Sequence, residues 1–159
     1  MPFGTIWFRR IHTLQASVEI PYVKCEGSHG YSFRPYLPVV FSYGNQKLPI
    51  GRALVDTGSD LTILPLQVAH YLQIELDDTK KVTIDCAGGG RFIALPSQRQ
   101  IGYSIDVPGY RPIRWKGTVY FAEHEPVVLL GYYQCLEKFD LTFHGPDRKL
   151  WIIPRFRLS

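Results

Sequence analysis

An ionisable side chain, Asp56, ends one apolar run and precedes another in the stretch "RALVDTGSDLTILP", residues 52–65. A buried carboxylate without a partner is costly, so Asp56 either reaches solvent at a turn or has a group placed to share its charge. Thr57 and Ser59 add hydroxyls beside it, and donors to the charged form would hold the carboxylate in one orientation. Gly58 gives the backbone the freedom that a tight turn needs. These residues can support acid–base chemistry, although the same residue types also form ordinary loops.

Two more stretches follow in the same chain. "DCAGGGRFIAL" contains Gly88, Gly89 and Gly90 between two strand-like runs, and "PVVLLGYYQCLEKFD" contains an apolar run ending in Leu129-Leu130-Gly131. The three glycines indicate a hairpin turn, which is either a moving element or a flexible turn with no ligand. Taken in order, the three elements resemble those of the retropepsin-like aspartic proteases, the single-domain, retroviral-type family. The resemblance covers roughly residues 37–153.

The resemblance implies a mostly β fold, a retropepsin-like acid-protease β-barrel with one or two short helices, active as a two-fold homodimer. Aspartic proteolysis needs two carboxylates that share one proton, because like charges so close together cannot both ionise. The chain has a single Asp-Thr-Gly, so the second carboxylate would be Asp56 of another copy. The function implied is an aspartic endopeptidase in which this dyad activates a water to hydrolyse a peptide bond.

The same resemblance implies a role for each matching residue. Asp56 would be catalytic, Thr57 would brace the dyad across the two chains, and Ser59 would help to support the loop. The substrate-binding set would be Gly58, Asp60, Gly88, Gly89 and Gly90, with the last three forming the tip of a flap over an extended peptide. Asp60 is equally well read as an ordinary surface carboxylate. Leu129, Leu130 and Gly131 would pack beneath the loop.

Two departures from the family pattern lead to further expectations. Retroviral enzymes usually carry Ala where Ser59 stands, and an extra hydroxyl donor to the dyad would move the working pH range towards acid. The strand that forms the dimer in the family has no obvious counterpart here, and "KLWIIPRF" is the candidate, provided that Pro154 lies at an edge or at a strand end.

Composition sets the class of protein. The 159 residues are 45% hydrophobic and 20% charged, which predicts one domain with a buried core. We expect residues 1–30 to form an N-terminal arm or extra strands and residues 31–159 to form the protease domain. Three scattered cysteines, with no histidine cluster beside them, predict neither a metal site nor a disulfide framework, and no cofactor is expected.

The sequence also bears on partners and location. The net charge of +4 is spread along the chain, without the aromatic-basic stripe typical of single-strand binders, so no nucleic acid is expected. The N-terminus lacks a continuous apolar segment of the signal-peptide type. No run approaches the roughly 18 apolar residues of a membrane span. These features predict a cytoplasmic protein with no membrane span, whose partners are a second copy and a peptide substrate.

Short β-branched and aromatic runs between prolines and glycines predict many strands. The predicted strands are 18–24, 37–43, 48–56, 80–85, 91–96, 100–107, 113–122, 140–144 and 149–153, with hairpins at Gly44-Asn45 and in "FHGPDRKLW". A helix is predicted from Pro65, with Val68, Tyr71 and Leu72 on one face. A second is predicted from Gly131, with one face formed by Tyr132, Cys135, Leu136 and Phe139.

Two other functions remain open. A retropepsin-like fold can persist as a dimerisation or peptide-binding module with weak or absent cleavage, since fold does not guarantee activity. The intact Asp56-Thr57-Gly58 argues against this, because a binding module has no need of a costly paired carboxylate. A small basic β-protein that binds nucleic acid is the third interpretation.

Overall fold

The computed structural model of the protein describes residues 17–86 and 88–156. This part of the chain contains one α-helix, α1 (Leu66–Leu72), and fourteen strands. The strands are β1 (Val18–Pro21), β2 (Val23–Gly27), β3 (Gly30–Arg34), β4 (Tyr36–Tyr43), β5 (Gln46–Val55), β6 (Ile63–Pro65), β7 (Val82–Asp85), β8 (Arg91–Pro96), β9 (Ile101–Ile105), β10 (Ile113–Gly117), β11 (Tyr120–Ala122), β12 (Val128–Leu130), β13 (Phe139–His144) and β14 (Lys149–Pro154). The expectation of a mostly β protein is confirmed.

Nine strands form one sheet in the order β10-β9-β4-β5-β12-β6-β11-β8-β7. Its end strands, β10 and β7, do not pair with each other, so within the described residues the sheet is open and does not close into the predicted β-barrel. Most neighbours are antiparallel, but β12 runs parallel to β5, and β11 runs parallel to β6. Parallel neighbours need crossover connections, and these bring segments far apart in the sequence to the middle of the sheet.

A second sheet, in the order β1-β14-β13, is formed near the two ends of the described chain. Its inner-face residues Val18, Ile20, Leu150 and Ile152 belong to the same buried cluster as Phe41, Tyr103 and Trp115 of the large sheet. Aromatic rings join the two layers: Trp115 meets Phe139 edge-on, with centroids 5.0 Å apart. Burial of this continuous apolar surface is the main source of stability.

The segment "KLWIIP" is β14, the central strand of this second sheet, paired with β1 on one edge and with β13 on the other. Both rows of its backbone groups are therefore used within the chain. The suggestion that this segment supplies a free dimer-forming strand is wrong, because a strand with two paired neighbours has no edge left to offer.

Strands β2 and β3 form a two-stranded ribbon that does not pair with either of these sheets. The predicted strand over residues 18–24 is divided at Tyr22, because β1 pairs with β14 whereas β2 pairs with β3. Of the segment predicted to form an arm, residues 1–16 lie outside the described residues.

Both predicted hairpins are confirmed, with Tyr43 opposite Gln46 and His144 opposite Lys149. The strand predicted over residues 91–96 has the observed bounds, and most others agree to within a few residues. The run over residues 113–122 is instead two strands. β10 pairs with β9, but the chain then leaves that neighbour, and β11 pairs with β6 and β8.

The first predicted helix is confirmed as α1, with Pro65 in the position before its first turn. Its buried residues are Ala69 and Leu72, whereas Tyr71 is 59% exposed, so the predicted face was partly wrong.

The second predicted helix is wrong. Only a 3₁₀ turn over Leu136–Lys138 forms there, because Gln134 has φ of 54° in the left-handed region, which interrupts a right-handed helix. Of its predicted face, Cys135 and Leu136 are buried, but Tyr132 is 60% exposed. No helix in the described part of the chain is long and apolar enough to cross a membrane.

Candidate active site

Asp56 begins the loop that joins β5 to β6, two strands that are not neighbours in the sheet. Strand β12 lies between them, parallel to β5 with Leu130 opposite Val55, and antiparallel to β6 with Leu129 opposite Ile63. The backbone N–H of Asp56 donates to the carbonyl oxygen of Leu130 at 3.1 Å. The apolar run that ends in Gly131 therefore lies directly beneath the Asp56 loop and sets the position of its first residue.

The Asp56 carboxylate is half-buried, and its neighbours Thr57 and Gly58 are exposed. The N–H of Gly58 donates to Asp56 Oδ1 at 3.0 Å. A Cβ on residue 58 would lie 3.3 Å from that same oxygen, which is a close contact and accounts for glycine at this position. One backbone donor thus holds the carboxylate of a partly exposed residue.

The Ser59 hydroxyl does not orient the carboxylate. It donates instead to the carbonyl oxygen of Leu61 at 2.8 Å, while the Ser59 N–H donates to the carbonyl oxygen of Asp56 at 3.2 Å. Ser59 therefore stabilises the turn, and the expected hydroxyl donor to Asp56 is wrong. The Ser59 hydroxyl therefore gives no reason to expect an acid-shifted working range.

Thr62 lies beneath the loop and was not among the predicted site residues. It is buried, with 1% of its surface exposed, and its hydroxyl accepts a hydrogen bond from the N–H of Gly131 at 3.2 Å. It also lies beside the buried groups of Tyr103 and Cys135. Burial raises the pKa of Cys135 to about 12 and raises that of Tyr103 well above its ordinary value, so both stay neutral. A polar residue between apolar neighbours in "LTILP" was the available signal.

The turn after Gly131 is joined to the other side of the same loop. The N–H of Tyr132 donates to the carbonyl oxygen of Ser59 at 2.9 Å, and the N–H of Tyr133 donates to that of Asp60 at 2.8 Å. The side chains of Thr57 and Asp60 are exposed and form no hydrogen bond or ion pair within the described residues.

Strands β7 and β8 form the glycine-rich hairpin. At its tip the N–H of Cys86 donates to the carbonyl oxygen of Gly90 at 2.8 Å, and Gly89 has φ of 86°, a conformation that favours glycine. Asp85 and Arg91 face each other at its neck and form an ion pair, with 2.5 Å between Oδ1 and Nε. Gly88, Gly89 and Gly90 are all exposed.

A small apolar cluster connects this hairpin to the Asp56 loop. Its buried members are Ile63, Ala94 and Ala122, and its partly exposed members are Leu61, Val82, Ile84, Phe92, Tyr120 and Leu129. Leu61 and Leu129 come from the side of the loop, and Ile84 and Phe92 come from the hairpin. No hydrogen bond or ion pair joins Gly88–Gly90 to Asp56 among the described residues, so the two candidate regions are linked through this cluster and through the strands β6 and β11 that lie between them in the sheet.

Within residues 17–86 and 88–156, no group of three His, Cys, Asp or Glu side chains is arranged to hold a metal ion. A scan against protein-family models finds no match, and a search of curated proteins finds none either.

Proposed function

We propose that the protein is a homodimeric aspartic endopeptidase with Asp56 as its catalytic carboxylate. The observation that carries the proposal is the construction of the Asp56 loop. A single Asp-Thr-Gly turn is tied to β12 and to the turn after it through Asp56, Ser59 and Asp60, while Asp56 stays partly exposed. A catalytic carboxylate needs such bracing, because a loosely held group does not keep the geometry that the reaction requires.

The chemistry requires two copies of the loop. Across a two-fold axis, Asp56 and Asp56 of the partner subunit would share one proton. The ionised carboxylate takes a proton from a water as its oxygen attacks the peptide carbonyl carbon. The protonated carboxylate donates its proton to the carbonyl oxygen, which gives a neutral tetrahedral diol. Collapse of the diol breaks the C–N bond, the amine leaves with a proton, and the dyad again holds one proton.

The substrate would be a peptide in extended form, bound between the Asp56 loop and the β7–β8 hairpin. The exposed backbone of Gly58 and of Gly88–Gly90 offers main-chain hydrogen-bond partners for an added strand. Closure of the hairpin would exclude water from the dyad. The partly exposed members of the apolar cluster, Leu61 and Leu129 among them, favour apolar side chains near the scissile bond.

The test compares the wild type with Asp56→Asn on a peptide library between pH 3 and pH 7, with pepstatin as inhibitor. Asp78→Asn is the matched control, because Asp78 is exposed and lies in a 3₁₀ turn that is not part of the Asp56 loop. We expect Asp56→Asn to lose cleavage by at least about a thousandfold and Asp78→Asn to retain it. Equal cleavage by Asp56→Asn and wild type contradicts the proposal. Peptide binding without cleavage by any form supports the binding-module alternative.

A further inference from the structure

The free edges of the sheets differ in how well they are protected against pairing with another chain. Natural edge strands are usually short, or carry charged side chains or proline. Strand β10 carries exposed Arg114 and Lys116, and β7 has four residues with Asp85 at its end. Strand β1 also has four residues and ends in Pro21.

Strand β13, "FDLTFH", is less protected. It is six residues long and pairs only with β14 among the described residues, so its other edge is open there. Its middle residues, Leu141, Thr142 and Phe143, carry no charge, and Phe143 is 43% exposed. Its one acidic residue, Asp140, is already paired with Arg155. This edge lacks the usual barriers to pairing.

The hydrogen-bond pattern shows which backbone groups of β13 face outwards. The N–H of Arg155 donates to the carbonyl oxygen of Lys138, in line with the β13–β14 register. Because antiparallel pairs alternate, Asp140, Thr142 and His144 direct their backbone groups to β14. Those of Phe139, Leu141 and Phe143 therefore point to the open edge.

The two outward groups of Leu141 and the two of Phe143 need a partner. The N–H of Phe139 already donates to the carbonyl oxygen of Leu136. The N–H and C=O groups of Leu141 and Phe143 have no partner within residues 17–86 and 88–156. If Leu141 lies opposite the partner's Phe143 in an antiparallel pair, all four groups in each chain are satisfied.

We propose that the open edge of β13 pairs with β13 of a second copy, which joins the two three-stranded sheets into one of six strands in the order β1-β14-β13-β13-β14-β1. An antiparallel strand paired with its own copy is related to it by a two-fold axis, the symmetry that a shared dyad requires. This inference rests on the proposed function for the choice of a second copy as the partner.

The path from β13 to the Asp56 loop is short and hydrogen-bonded throughout. The N–H of Leu136 donates to the carbonyl oxygen of Gly131 at 3.1 Å, and the N–H of Lys138 donates to that of Cys135 at 3.1 Å, directly before β13 begins. Gly131 is in turn bonded to Thr62 beneath the loop. A partner held at β13 is therefore held by the same hydrogen-bonded segment that supports Asp56, and the site is incomplete without that partner.

Amide hydrogen exchange of the wild type at several protein concentrations tests the edge directly. We expect the amides of Leu141 and Phe143 to be protected in the dimer and to lose protection on dilution. Those of Thr142 and His144, which face β14, serve as internal controls and stay protected. Free exchange of Leu141 and Phe143 in a dimer overturns the inference, and so does a protein that stays monomeric at every concentration.

Variants provide the second test, with sedimentation velocity as the measurement. Phe143→Pro removes one outward N–H while leaving the β14-facing groups intact, and Phe143→Lys adds the charge that protected edges carry. Both should raise the dimer dissociation constant about tenfold or more. Tyr31→Lys, at an aromatic residue that is 64% exposed on β3, is the matched control and should leave it unchanged.

The two proposals fail separately. An unchanged dissociation constant in both Phe143 variants overturns the edge pairing, whereas the Asp56→Asn comparison still decides the enzymatic function. If Asp56→Asn cleaves like the wild type but the Phe143 variants dissociate, the edge pairing stands and the protease does not.

Discussion

The backbone N–H of Asp56 donates to the carbonyl oxygen of Leu130, 74 positions further along the chain, at 3.1 Å. This bond continues the parallel pairing of β5 with β12 by one residue beyond the end of β5. The candidate catalytic residue is therefore positioned by the sheet itself, and the turn needs only the Gly58 N–H to orient its carboxylate. Substitutions beneath the loop should therefore affect the position of Asp56 through this hydrogen bond.

Gly131→Ala should destabilise the protein strongly. A Cβ on residue 131 would overlap the carbonyl group of Leu61 and lie 2.7 Å from the Leu61 nitrogen, and both atoms belong to backbone that cannot move aside. We expect a loss of about 3 kcal/mol in the free energy of unfolding, at the upper end of overpacking effects. Urea denaturation followed by circular dichroism measures it.

Gly51→Ala is the control for this substitution. Gly51 lies in β5, the strand that leads to Asp56, and no atom lies within 4 Å of the Cβ that alanine would add. Its effect should stay within about 0.5 kcal/mol. Equal stability of the two variants would contradict the close contact between residue 131 and Leu61.

Thr62→Val should destabilise the loop support by about 1–3 kcal/mol, because the buried N–H of Gly131 loses its acceptor. Thr62→Ser keeps the hydroxyl and should recover most of this loss, apart from the missing methyl group. Thermal unfolding of the three proteins provides the comparison. If the valine variant is as stable as the wild type, the hydroxyl contributes nothing and only the packing of the methyl group matters.

The Glu19 ion pair should make the three-stranded sheet sensitive to pH. Glu19 Oε1 lies 2.7 Å from Lys149 Nζ, and Glu19 Oε2 accepts a hydrogen bond from Trp151 Nε1 at 3.0 Å. The hydrogen bond from Lys149 lowers the pKa of Glu19 below its ordinary 4.5, and the same bond raises the pKa of Lys149 above 10.5. Folding therefore favours the charged form of both groups.

The sign of the effect follows from these two directions. The contribution of Glu19 is fully present above about pH 4.5 and is lost as the pH falls through its lowered folded pKa. The contribution of Lys149 is fully present below about pH 10.5 and is lost as the pH rises through its raised folded pKa. The stability of the protein, measured at a series of pH values by tryptophan fluorescence, should fall on both the acid flank and the alkaline flank of the pH range. Glu19→Gln should reduce the fall on the acid flank. An identical acid flank in that variant would assign it to other carboxylates.

Local features of the sequence were sufficient to predict the β class, both hairpins, helix α1 and the glycine-rich turn. Each of these depends on residues close together in the chain, such as Gly44-Asn45 between two strand-like runs, or Pro65 ahead of a helical pattern. The Asp-Thr-Gly turn was found in the same way. The role of its residues in proteolysis stays a prediction.

Tertiary structure alone decided how these pieces meet. The insertion of β12 between β5 and β6, the burial of Thr62 under Gly131 and the position of β14 between two partners all depend on pairings that span many tens of residues. The helix predicted after Gly131 failed for the same reason, since Tyr132 and Tyr133 bond to the Asp56 loop and Gln134 takes a left-handed conformation. A local pattern indicates which residues prefer a strand or a turn. Which strands pair with each other is decided by the free energy of burial and hydrogen bonding across the whole fold.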